Sequence, residues 1–142
     1  MGQFIDIQTL INAKLIALST IDSNKVFKAA TAVTTGYPYV TLEALNETEE
    51  DEDEVNKYQV FRWRLRIYAN MDKTGAGPVW AETTVLTVLD EIKDVFNADE
   101  TLGGYADNMD WESIELGYSA FEAGEARTIE AVLRVYKLKK VT

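Results

Sequence analysis

The chain has 142 residues, 46% of them hydrophobic, which is enough for one ordinary domain, 1–142, with one apolar core. It carries a formal net charge of −10 and contains neither cysteine nor histidine. Such a surface repels nucleic acid and anionic lipid, and the two missing residue types exclude disulfides, thiolate or imidazole metal sites, and Ser-His or Cys-His nucleophile systems.

Phe4, Ile7, Leu10, Ile11, Leu15 and Leu18 recur at steps of three and four, which predicts an amphipathic helix lying on a sheet. A short apolar piece around Val26 and Phe27 comes next. Thr34-Thr35-Gly36-Tyr37-Pro38 then predicts a reversal of the chain, because Gly and Pro favour a turn over any regular element. From Tyr39 to Leu45 the pattern suits a half-buried strand with Val40, Leu42 and Ala44 on one side and Pro38 tolerated at its start. Residues 46–57 are the low-complexity stretch of the chain. Its carboxylates run unbroken through Glu49, Glu50, Asp51, Glu52, Asp53 and Glu54, and their repulsion predicts a long, solvated, mobile loop.

Tyr58 to Tyr68 carries the strongest strand signal. Phe61, Trp63, Leu65 and Ile67 alternate with Arg62, Arg64 and Arg66, so one face is apolar and the other cationic. Gly75-Ala76-Gly77-Pro78 opens a second helix, with Pro78 suited to its first position and Val85, Val88, Leu89, Ile92, Val95 and Phe96 as its apolar stripe. Gly103-Gly104 is expected to be a turn rather than a phosphate loop, since neither GxGxxG nor GxxxxGK[ST] occurs. Trp111 to Phe121 and Thr128 to Leu138, joined across Ala123-Gly124-Glu125, predict an antiparallel hairpin. The spacing is too tight for repeated βαβ crossovers. The fold class is therefore α+β: a mainly antiparallel β-sheet covered by two amphipathic helices.

No residues stand out as catalytic, and neither a cofactor nor a metal is expected. Carboxylate-pair hydrolysis stays formally open, yet 24 acidic residues spread over the surface single out no pair. The acidic run lacks the glycine that a calcium loop needs for its bend, so the choice for it lies between a solvated loop and one that lines a channel or meets a partner. Three cations on one face of a strand repel one another unless acids lie opposite. Arg62, Arg64 and Arg66 therefore call for carboxylates, either on neighbouring strands or on a neighbouring subunit, with Glu115 and Glu130 of the C-terminal hairpin as candidates. Trp63, Trp80 and Trp111 read as core or interface anchors.

Taken along the chain, these features resemble the tail terminator proteins of long-tailed bacteriophages and related phage-like particles. The resemblance rests on the helix Phe4 to Leu18, the strand Tyr37-Pro38-Tyr39-Val40-Thr41-Leu42-Glu43, the acidic stretch, the alternating strand Tyr58 to Tyr68, the second helix, and a hairpin ending in Val132-Leu133-Arg134-Val135-Tyr136. It implies a virion protein assembled in the host cytoplasm: a homo-oligomeric, hexameric ring that caps the tail tube, contacts the tail tube protein and the head-tail connector or stopper protein, and lets DNA pass without specific binding. It carries over no catalytic residues, and no membrane partner is expected, because no run approaches the ~20 apolar residues that a membrane helix needs. Two alternatives stay open, another neck component such as a head-tail stopper or tail completion protein, and a small ligand-binding or regulatory domain.

Overall fold

A computed structural model describes residues 2–27, 38–51, 56–71, 77–121 and 124–140. Five strands form one sheet, β1 (Val26–Phe27), β2 (Tyr39–Asp51), β3 (Asn56–Asn70), β4 (Asn108–Phe121) and β5 (Gly124–Lys140), in the spatial order β1-β2-β3-β5-β4. All neighbouring pairs are antiparallel except β1 and β2, which run parallel with Val26 opposite Val40. Two helices, α1 (Gln3–Ile16) and α2 (Gly77–Asn97), lie on one face of this sheet. The expected α+β class is what forms.

Strict alternation makes β3 the centre of the fold. Phe61, Trp63, Leu65 and Ile67 all point to the helix side and are buried, together with Val40 and Leu42 from β2 and Ile129, Leu133 and Val135 from β5. Ile7, Ile11 and Leu15 of α1 and Val85, Val88, Leu89, Ile92 and Phe96 of α2 close the same cluster from above. Phe4 sets its ring edge-on to Phe61, with centroids 5.0 Å apart, which anchors the start of α1 over the middle strand. Helix α1 ends at Ile16, before Leu18, but Leu18 remains buried as the chain turns away.

The acidic stretch departs from expectation. Asn46–Asp51 continues β2 as a strand instead of opening a loop, and residues 56 and 57 already belong to β3. A pleat sends successive side chains to opposite faces, so consecutive carboxylates are not forced together, and the strand opposite supplies partners. Gln59 donates to Glu47 at 3.0 Å, and Lys57 lies 3.7 Å from Asp51. Glu52, Asp53 and Glu54 lie outside the described residues, as does the expected reversal at residues 34–37. A bulge between Ala44 and Asn46 marks where β2 passes from its buried half to its exposed half. The hairpin partner strand also starts earlier than expected. Gly124 pairs with Phe121, so Gly124 and Glu125 belong to β5 and not to the turn.

Two carboxylates fasten the helices. Glu91 on α2 accepts four hydrogen bonds of 2.7–2.9 Å, from the backbone and hydroxyl groups of Ser19 and Thr20 beyond the end of α1. Burial pushes this carboxyl upward, but the four donors outweigh burial and hold it at about 2. Asp99, just past α2, accepts from the Gly103 backbone and pairs with Lys14 of α1 at 2.9 Å, and both interactions lower its pKa. The turn it organises is the one expected at Gly103-Gly104. Leu102, Gly103 and Gly104 all adopt positive φ, at 50°, 70° and 95°, and the buried Leu102 side chain holds the one non-glycine there in place.

Two measurements follow from this packing. Leu65→Ala, at a site 1% exposed between the sheet and the helices, is expected to lower unfolding free energy by about 2–5 kcal/mol in urea titrations. Because Glu91 titrates lower in the folded chain than its ordinary 4.5, its contribution is complete above that value and fades as pH falls towards about 2. Glu91→Gln should therefore melt below wild type at neutral pH, and the gap between the two melting temperatures should close as the solution is acidified through that window.

Candidate functional site

The face of the sheet turned away from the helices carries the charged residues that the sequence singles out. On β3 this face presents Tyr58, Val60, Arg62, Arg64, Arg66 and Tyr68 in succession, because their alternates are committed to the core. Register then decides what lies beside each arginine. Arg62 sits between Asn46 and Arg134, Arg64 between Glu43 and Val132, and Arg66 between Thr41 and Glu130.

Each arginine finds its acid within the chain. Arg64 bonds Glu43 on one side and reaches Glu130 at 3.5 Å on the other. Arg66 shares Glu130 at 3.2 Å. Arg62 donates to Glu112 at 2.9 Å and to the Thr48 hydroxyl at 2.7 Å. Arg134 forms a two-point pair with Asp110 at 2.7 and 2.8 Å and lies 3.8 Å from Glu112. Two linked strings result, Glu43-Arg64-Glu130-Arg66 and Arg62-Glu112-Arg134-Asp110. In them the charges of four arginines are matched by four carboxylates.

Of the candidate residues, the structure brings Arg64, Arg66 and Glu130 together and places Arg62 in the second string. Glu115 stands opposite Glu130 in register, exposed, and makes no ion pair among the described residues. Its place is taken by Glu43, Asp110 and Glu112, which the sequence reading missed. Glu43 lay in view at alternating spacing on a strand already recognised. Glu112 could not have been found that way, because the register shift between Trp111 and Ser113 breaks the alternation at that point. Of the acidic stretch, Glu49, Glu50 and Asp51 stand exposed at the far end of β2, beside the start of β3 rather than beside the arginines.

Aromatic rings close both ends of the row. Tyr68 stacks on Tyr39 with centroids 4.5 Å apart and planes 13° from parallel, and Phe27 meets Tyr39 edge-on at 5.9 Å. At the other end Tyr58 meets Tyr136 edge-on at 6.0 Å. Burial and the neighbouring Asp110 push the Tyr136 phenol upward, so it stays a neutral donor to that carboxylate. Between the aromatics, Val60 and Val132 are buried although they belong to the helix-free face, Val60 having Thr48 and Tyr136 as its register neighbours. This surface is thus a closely packed polar layer, not a loose row of charges. Trp63 is core, while Trp80 and Trp111 pack at its edge, with Trp111 edge-on to Phe96 at 5.8 Å.

A charge reversal probes this layer directly. Arg64→Glu places a third carboxylate between Glu43 and Glu130, exchanging two attractions for two repulsions, and is expected to cost about 1–2 kcal/mol in chemical denaturation at low salt. The penalty should shrink in high salt, and the double exchange Arg64→Glu with Glu130→Arg should recover part of it.

No family model matches the chain, and no curated protein does. Among solved structures it is similar to a chain from the virion of a native gene transfer agent particle. That likeness has a TM-score of 0.54 at 14% identity and covers 94% of this chain and 95% of the other.

Proposed function

We propose that this chain is a structural virion protein that acts as an assembled subunit, and that its role is that of a tail terminator: a ring-forming component that caps the tail tube and joins it to the head connector. The observation that carries the reading is the fold likeness to a chain of a gene transfer agent virion, which spans nearly all of both chains. The sequence-level resemblance to tail terminators points the same way. The polar chemistry on the open face suits a structural layer, since Arg62, Arg64, Arg66 and Arg134 are matched there by Glu112, Glu43, Glu130 and Asp110.

In this reading the chain has no catalytic role. Its partners are further copies of itself in a hexameric ring, the tail tube protein, and the connector or stopper above it, and DNA passes through without specific binding. The exposed acidic end of β2, Glu49 to Asp51, and Glu52 to Glu54 after it, suit the lining of such a passage or a docking edge. Carboxylates there repel the phosphate backbone and keep it from adhering. The face around Arg62, Arg64, Arg66 and Glu130, with the exposed Glu115, unpaired among the described residues, at its edge, is a surface for neighbouring protein.

Location in the particle tests this reading. Particles assembled with gold-labelled chain are expected to carry label at one end of the tail, next to the head, and particles made without the chain should show tails of irregular length or tails without heads. Label spread along the whole tube, or its absence from purified particles, would overturn the terminator role.

A further inference from the structure

Among the described residues, the large apolar side chains that stand furthest into solvent gather on two opposite flanks. On the first flank are Ile5 and Ile16 of α1. They are eleven residues apart and so share one face of the helix. That face is turned away from α2, because Asp6 and Lys14, which reach Tyr105 and Asp99 beyond the end of α2, mark the other side of α1. Leu45 projects from the bulge of β2 on the same flank.

The second flank is built by α2 and β4. Val79 and Leu86 bracket Glu82 on the side of α2 opposite Glu91, whose clamp faces α1. Arg127 holds Glu82 at 2.7 Å and lies over the Tyr118 ring at 4.4 Å, so this side of α2 is a wall standing beside β4. Leu116 and Tyr118, two residues apart on β4, form the floor at its foot. Two helices do not span five strands. Phe96 shelters Trp111, and Leu102 and Ala106 pack into the core near Met109, but this cover ends before Leu116. An apolar ledge is left open along the edge strand.

We propose that the two flanks are the halves of one contact, through which copies of this chain join head to tail: the Ile5, Ile16 and Leu45 flank of one copy seats on the α2-β4 ledge of the next. This deepens the reading of the chain as an assembled subunit and rests on it. Two different patches on opposite sides of a molecule make a heterologous contact, which can repeat around a closed ring. At exposures between 36% and 78%, the seven side chains leave on the order of 600 Å² in water, about two thirds of the apolar area that a standard interface of ~1,600 Å² buries. Strand direction agrees. β2 and β4 run in opposite senses, so the two sheet edges brought together would meet antiparallel, and β2 beyond Thr41 has no strand on its outer side among the described residues.

The chain has no cysteine, so introduced thiols report this contact alone. A chain carrying both Ile16→Cys and Leu86→Cys, treated with a short bis-maleimide, is expected to give a ladder of linked multimers. Each single variant should stay monomeric, and a mixture of the two single variants should give dimers. Leu116→Glu with Val79→Glu should weaken self-association ~10-fold or more in sedimentation while leaving the melting curve in place. Dimers from either single variant would show a symmetric contact, and an unlinked double variant would show none; both results overturn the proposal. Particle location separates the two readings. An unlinked chain still found at the tail end removes only the contact, whereas a ladder from a chain missing from particles removes only the virion role.

Discussion

Burial of one face of β3 beneath two helices is the constraint on which everything else depends. Phe61, Trp63, Leu65 and Ile67 can reach the core only if their alternates point the other way, and those alternates include Arg62, Arg64 and Arg66. The core therefore creates the charge problem on the opposite face. A slip of one residue would expose the apolar set and bury the cations, so the register with β2 and β5 is strongly specified. That register in turn sets Glu43 and Glu130 beside the arginines.

The open face shows how a protein with a large acidic excess manages a cationic row. Glu130 serves both Arg64 and Arg66, and Glu112 serves Arg62 while lying near Arg134. Sharing lowers the number of side chains that must be ordered for each attraction, so a network holds where isolated exposed pairs contribute little. Aromatic pairs at both ends and the buried Val60 and Val132 make the layer shape-defined as well as charge-balanced.

The helices are held by a different device. Glu91 and Asp99 each satisfy backbone N–H groups in the segments that leave a helix, and Asp99 adds an ion pair to α1. These contacts fix where α1 and α2 lie on the sheet. Because the pair so placed is narrower than the sheet, the ledge at Leu116 and Tyr118 follows from the same geometry that closes the core.

Elements whose identity rests on local periodicity were legible in the residues alone. Both helices, the alternating strand, the C-terminal hairpin and the Gly103-Gly104 turn were readable, the first three because hydrophobic spacing reports which face is buried whatever lies on top. The acidic stretch was not. Composition argued for a solvated loop, whereas pairing along β3 and the partners Lys57 and Gln59 held Asn46–Asp51 as strand. Local charge repulsion is visible in one dimension, and the cross-strand hydrogen bonds that overcome it are not. The same holds for the arginine row. Its need for carboxylates could be stated from spacing, but choosing Glu43 and Glu112, passing over Glu115, and keeping the pairs within one chain depended on strand order and on a bulge at residue 112, which only the tertiary structure decides.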